Sequence, residues 1–225
     1  MDTAQQRSPV HGRRTLQVRR LGRIDYGAGL RLQEELVGQR RLGEIPDQLL
    51  LLEHPHVITL GTSAHRDNVL LDENERQLLG IDLYETGRGG DVTYHGPGQL
   101  VGYPILDLKP DRQDLHRYVR DIEEALIRAI ARFGVTGRRK TGLTGVWVGD
   151  EKIAAIGVRV SSGWITSHGF ALNVTTDLQF FDSIIPCGIR EYSVASLARA
   201  TSPPPAMEAV MDAVEESFRE VFQRA

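Results

Sequence analysis

Four short stretches bring together residue types able to do chemistry. The densest runs Thr86-Gly87-Arg88-Gly89-Gly90-Asp91-Val92-Thr93-Tyr94-His95-Gly96-Pro97-Gly98-Gln99, with five glycines in positions 87–99. Such density calls for left-handed backbone or for close approach of a ligand, and polar side chains set between bare glycines build a pocket wall more readily than a plain turn. No Gly-Lys-Ser/Thr closes the stretch, so it is not a phosphate loop, and Val92 breaks the dinucleotide pattern. The second stretch, Lys152-Ile153-Ala154-Ala155-Ile156-Gly157-Val158, opens a small-residue strand with an amine. Either that amine faces a cleft or, as is commoner for a lysine, it is solvated beside Asp150 and Glu151. In the third, Ser167-His168-Gly169-Phe170-Ala171-Leu172-Asn173, His168 is a candidate base or orienter, although a lone strand histidine is more often hydrogen-bonded and inert.

The fourth is Ile185-Pro186-Cys187-Gly188-Ile189. A lone cysteine is usually a small buried hydrophobe. Between a proline that fixes φ and a glycine that clears space, it can instead be a positioned thiol. A nucleophilic thiol needs a group that favours the thiolate, and Lys152, His95 and His168 are the candidates; spacing does not choose among them. Lysine is scarce. Of 27 basic residues only Lys109, Lys140 and Lys152 are lysine, and only lysine, never arginine, can lose its proton near neutral pH.

These stretches need elements to hold them, and periodicity supplies alternating strands and helices. Strands are expected over 15–21, 49–53, 57–60, 81–86, 99–108 and 164–174, with a hairpin formed by 145–148 and 152–160. Leu115, Tyr118, Ile122, Ala125, Leu126, Ala129 and Ile130 keep helical spacing, with Asp111 or Asp114 to cap the start and Gly134 to end it. A weaker helix is expected over 30–42 and a helical turn near 74–79. The division is a disordered arm over 1–14, a catalytic domain over 15–200, and an amphipathic helix over 205–223 packed on that domain. The fold class is α+β, one domain with a mixed sheet packed by helices.

Composition narrows the function. The 225 residues carry 27 basic against 30 acidic side chains, a net charge of −3, which argues against a generic nucleic-acid binder. The longest aliphatic run, Leu49–Leu52, is far short of a membrane span. One cysteine allows neither an intrachain disulfide nor a multi-cysteine zinc site, and fits a reducing, cytoplasmic setting. No metal or cofactor is expected.

In this order the four stretches resemble the octanoyl-[acyl-carrier-protein]:protein octanoyltransferases, the lipoate-protein ligase B family, over about 16–200. The resemblance rests on Arg88 to Gln99, Lys152 to Gly157, His168 to Asn173 and Pro186 to Ile189. It implies a fold like the catalytic domains of biotin and lipoate ligases. It implies that Cys187 forms an acyl-thioester and that Lys152 assists it. Substrate binding would fall on Arg88, Gly89, Gly90, Asp91, Val92, Thr93, Tyr94 and His95, on Ala155, Ile156 and Gly157, and on Gly169, Phe170 and Ala171, with His168 in support. The donor would be octanoyl-acyl carrier protein. The acceptors would be lipoyl domains of 2-oxoacid dehydrogenase complexes and the glycine cleavage H protein. Arg40-Arg41 and Arg138-Arg139-Lys140 are candidate docking patches for an acidic carrier, or simply solvated faces. Three rivals remain: an ATP-dependent ligase of the same fold group, a cysteine hydrolase, and a non-enzymatic binder.

Overall fold

The computed structural model describes residues 14–185 and 193–224. The elements run β1 (Leu16–Arg23), α1 (Tyr26–Leu42), β2 (Asp47–Glu53), β3 (Val57–Leu60), α2 (Glu73–Leu78), β4 (Asp82–Glu85), β5 (Val92–His95), β6 (Gln99–Ile105), α3 (Leu115–Ala131), β7 (Arg138–Lys140), β8 (Leu143–Val148), β9 (Glu151–Val160), β10 (Thr166–Asn173), α4 (Leu197–Ala200) and α5 (Met207–Phe222). Seven strands form a mixed sheet in the order β1-β2-β6-β10-β9-β8-β7. Its one parallel pair is β1–β2, with α1 as the crossover, and the other pairs are antiparallel.

The run Leu49–Leu52 explains the layering. Successive strand residues point to opposite faces, so a strand buried on both faces reads as an unbroken apolar run. Leu49 and Leu51 join a core with α3 and α5, through Ile122, Leu126, Val214 and Phe218. Leu50 and Leu52 join the opposite core, under Leu36 of α1. Asp114 caps α3 by accepting from the Arg117 amide at 3.1 Å, and Gly134, at φ 75°, follows its end. Both ends lie where the sequence placed them.

Several features depart from the expectations, among them β6, which ends at Ile105 instead of 108. β3, β4 and β5 leave the large sheet and form a second sheet, ordered β4-β3-β5, with its own core around Ile58, Val92, Tyr94 and Ile184. α1 starts at Tyr26, before the expected Leu30, because Gly27 and Gly29 serve packing: a Cβ on them would sit 3.1 Å from the Tyr84 hydroxyl and 3.1 Å from the His54 ring. β10 starts at Thr166 instead of Trp164, because Trp164 at φ 65° lies in a turn after Gly163 at φ 86°. At the chain ends, Arg14, assigned to the arm by sequence, donates to the Asp107 carbonyl at 2.8 Å and bridges to Arg224. Arg224 in turn donates to buried Asp47 at 2.8 Å. Among the described residues no helix is long and apolar enough to cross a membrane, and no cluster of side chains could hold a metal ion.

Candidate active site

A cavity of about 510 Å³ lies between β8, β9 and β10 of the large sheet, the glycine-rich stretch, the first residue of α1 and the start of α3. Its lining includes Arg88, Gly89, Gly90, Asp91, Val92, Thr93 and His95, then Lys152, Ala155, Ile156 and Gly157, then His168, Gly169, Phe170 and Ala171. Three of the four sequence stretches therefore meet at one wall.

Glycine makes this meeting possible at two places. The Gly89 amide donates to the Val158 carbonyl at 2.9 Å, which lays the glycine-rich stretch on β9, and a Cβ on Gly157 would stand 2.9 Å from the Gly89 carbonyl. A Cβ on Gly169 would stand 2.1 Å from the Gly102 carbonyl. Arg88 is buried and turned inward, donating to the Thr59 carbonyl at 2.7 Å and its hydroxyl at 2.8 Å. Asp91 accepts from Asn68 at 2.8 Å and from the Val92 amide at 2.7 Å. Tyr94 does not join the lining. Alternation along β5 sends its ring into the small sheet's core, stacked on Phe180 at 5.3 Å with its hydroxyl 2.7 Å from His56.

One end of the cavity is the lysine end. Lys152 opens β9, and its Nζ lies 4.9 Å from the centroid of the Trp147 ring, a cation–π distance. Gly145, at φ 126°, keeps that corner open: a Cβ there would be 2.6 Å from the Ala154 carbonyl and 3.4 Å from Lys152 Cε. The Gly145 amide is held by the buried carboxylate of Glu123 at 3.0 Å, whose other oxygen takes Arg120 at 2.6 Å and Arg139 at 3.1 Å.

The other end is a histidine end, built by Tyr26, Arg88, His95, Tyr103 and His168, with His54 behind them. Burial holds all three histidines neutral. It pushes His95 down to about 3 and His168 down to about 4, and it lowers His54 as well. Burial also lifts the Tyr26 hydroxyl to about 12 and raises Tyr103. The tautomers follow from the partners. His54 Nδ1 donates to the Ile24 carbonyl at 2.7 Å, so its Nε2 accepts from the Tyr103 hydroxyl at 2.8 Å. The Gln99 amide nitrogen donates to Asn173 at 3.0 Å, so its oxygen accepts from His95 Nδ1 at 2.8 Å. His95 Nε2 is left as the accepting nitrogen. The network continues from Asn173 to the Ala195 carbonyl at 2.9 Å.

Cys187 lies outside the described residues, within 186–192. The flanks of that segment are described. Ile185 donates to the Asn68 carbonyl at 2.8 Å. On the far side the Lys152 amide donates to the Ser193 carbonyl at 2.9 Å, the Ala195 amide donates to the Lys152 carbonyl at 3.0 Å, and Ser193 and Val194 line the cavity. The chain leaving the cysteine segment is thus bonded to the backbone of Lys152 itself.

The basic patches are partly consumed within the fold. Arg40 turns inward to Asp47 at 2.8 Å, so Arg40-Arg41 does not stand as a free basic pair. Arg139 is held by Glu123 and Glu124, while Arg138 and Lys140 share Asp150 at 3.3 and 3.1 Å. Sequence reasoning missed Tyr26, His54, Tyr103, Glu123 and Trp147. None sits in a motif-like stretch, and each reaches the site only by folding. The glycines Gly27 and Gly29 beside Tyr26 were the one available signal, and they lie before the helix expected over 30–42.

The lipoyl protein ligase A/B catalytic domain matches residues 25–219. An octanoyltransferase of Rubrobacter xylanophilus is 56% identical over 213 residues, covering 93% of this chain and 95% of its own. An octanoyltransferase of Solibacter usitatus is 51% identical, covering 92% and 91%. Among solved structures, a bipartite lipoate protein ligase of Thermoplasma acidophilum superposes with a TM-score of 0.75 at 17% identity, covering 94% of this chain and 85% of that one. A biotin protein ligase of Aquifex aeolicus superposes at 0.55 and 13% identity, covering 92% and 70%. The last two speak for the fold alone. With the family match and the identities above, this chain belongs to the lipoyl protein ligase A/B catalytic-domain family, among its octanoyltransferases, and is an acyltransferase.

Proposed function

We propose that this protein moves an octanoyl or lipoyl group from acyl carrier protein to a specific lysine of a lipoyl domain, through an acyl-thioester on Cys187 assisted by Lys152. One observation carries the reading: the single lysine of the cavity lining is tied through its own backbone to the chain leaving the cysteine segment. The relatives' activity supports the acyl group. A structural neighbour studied with its E2 lipoyl domain supports that class of acceptor. Lipoyl domains of 2-oxoacid dehydrogenase complexes and the glycine cleavage H protein are the acceptors we propose, in the cytoplasm, as the first step of endogenous lipoylation.

The chemistry runs in two halves. Lys152 takes the proton of the Cys187 thiol and stands as an ammonium beside the thiolate. The thiolate attacks the carrier's thioester carbonyl, the pantetheine sulfur leaves, and Lys152 returns the proton to it. The acceptor amine then attacks the Cys187 thioester and forms the amide, while its proton passes through Lys152 to the departing cysteine sulfur. One thioester replaces another in the first half, so no ATP is consumed. Arginine cannot carry that proton, because it stays charged. Substrate contacts are proposed for the lining residues named above; Tyr94 would act only through the small sheet.

Intact-protein mass spectrometry tests the route. Wild type incubated with octanoyl-carrier protein and no ATP should gain one octanoyl group that apo lipoyl domain discharges, and Cys187→Ser should gain none. Product formed only with ATP and free octanoate would replace the thioester route with an adenylate route.

A further inference from the structure

Lys152 reaches the cavity through an irregularity in the sheet. Side chains alternate along a strand, so in a regular β9 Lys152 would share a face with Ala154. Ala154 is buried in the core under α3 and α5 and does not line the cavity. The pairing of β8 with β9 breaks the alternation: Val146 pairs with Ala154, but Trp147 pairs with Lys152. Ile153 is therefore an extra residue on β9, a bulge, and it joins Ala154 in the same core. A slip of one residue turns the side chains beyond it to the other face, so Lys152 lies on the cavity side with Trp147.

Glu123 holds the neighbouring strand at this bulge. Gly145 immediately precedes Val146 and gives its amide to the Glu123 carboxylate at 3.0 Å. The corner has no slack: a Cβ on Gly145 would be 2.6 Å from the Ala154 carbonyl and 3.4 Å from Lys152 Cε, so a small shift of Gly145 presses on β9 or on the lysine stem. Glu123 is fully buried, on the face of α3 that carries Ile122, Leu126 and Ile130. An apolar side chain would pack there at lower cost than a carboxylate, whose charge has to be balanced by the exposed Arg120 and Arg139.

We propose that Glu123 is a positioning residue: by fixing the Gly145 amide beside the bulge, it sets the place of the Lys152 side chain on the Trp147 ring. Its consequence for catalysis rests on Lys152 acting in the transfer, so the test locates the lysine separately from the rate. The chain has three lysines, Lys109, Lys140 and Lys152. Lysine labelled with carbon-13 at Cε therefore gives three NMR signals, assigned with Lys109→Arg and Lys140→Met. The indole ring current should shift the Lys152 methylene upfield. Glu123→Leu leaves the Gly145 amide without its acceptor and should move that signal towards the position of a lysine in water. Glu123→Gln still accepts the amide through its carbonyl and should keep the signal in place. In Glu123→Leu, kcat should fall by up to about 10²-fold, as for a misplaced catalytic group, with KM near wild type; Glu123→Gln should restore it. Should Glu123→Leu fail to fold, Glu123→Asp decides, because it keeps the charge for the arginines but withdraws the carboxylate by one bond of about 1.5 Å. An unchanged Lys152 signal in the folded deciding variant overturns the proposal, as does a displaced signal in Glu123→Gln. A displaced signal with undiminished kcat leaves Glu123 setting the lysine's place and overturns the proton role of Lys152 instead.

Discussion

The two ends of the cavity share one strand and hold their titratable side chains in different surroundings. The lysine end lies at the first residues of β9, where Lys152 is half-buried and its Nζ rests on an indole face. The histidine end is walled by both sheets and α1, and there burial strips the charge from every titratable ring. The proton transfer proposed for Lys152 needs a place that water and substrate reach. The difference follows from position along β9 more than from residue type, since histidine is the side chain most ready to titrate near neutrality and here does not.

The contrast can be broken most strongly at the lysine end. Lys152→Arg preserves charge but not proton transfer, and should lower kcat by roughly 10²- to 10⁴-fold, while KM and the melting temperature stay near wild type; steady-state kinetics with octanoyl-carrier protein measures it. If the variant kept most of its activity, Lys152 would carry no proton. Between the ends, Gly169→Ala places a methyl group against the Gly102 carbonyl. It should cost about 3 kcal/mol, the upper range for overpacking, and lower the melting temperature by roughly 6–12 °C.

Acidification sharpens the comparison at the histidine end. His95 near 3 and His168 near 4 stay neutral in the folded protein while their unfolded counterparts protonate. The unfolded chain then binds more protons, so stability falls as pH drops below about 6.5 and continues to fall towards 4. Each of the two should remove roughly 1 kcal/mol by pH 5.5; urea midpoints at pH 7.5 and 5.5 measure it, and His168→Asn should lose its share of the dependence. The smallest effect belongs to Lys140. Its Nζ lies 5.0 Å from the same indole centroid, but it pairs with Asp150 and does not line the cavity. Lys140→Met should change stability by no more than about 0.5 kcal/mol and leave transfer unchanged. Activity lost in Lys140→Met would mean that the indole platform, not cavity position, selects the lysine.

Legibility varied with the range of the cause. α3 was readable end to end, because its apolar spacing, its Asp114 cap and Gly134 are all local. The wall formed by Arg88–Thr93 with His95, by Ala155–Gly157 and by Gly169–Ala171 was marked by glycines whose missing side chains permit close approach. Tyr94 was misplaced because strand alternation could not be applied before β5 was known to be a strand. The second sheet was hidden for a related reason. β3, β4 and β5 are each four residues long, and nothing within four residues says which sheet will receive them.

The sequence by itself determined the residue types available for chemistry: a scarce lysine, a lone cysteine, and glycines at the points of contact. It also determined the long helices and the doubly buried strand, since periodicity is written residue by residue. Only the tertiary structure decided that Lys152 and His168 occupy opposite ends of one cavity. The tautomers of His54 and His95 were likewise settled only by folding, as was the capture of Arg40 by Asp47. Burial, dielectric and hydrogen-bond partners belong to the neighbours a residue acquires, and those neighbours lie tens to hundreds of positions away along the chain.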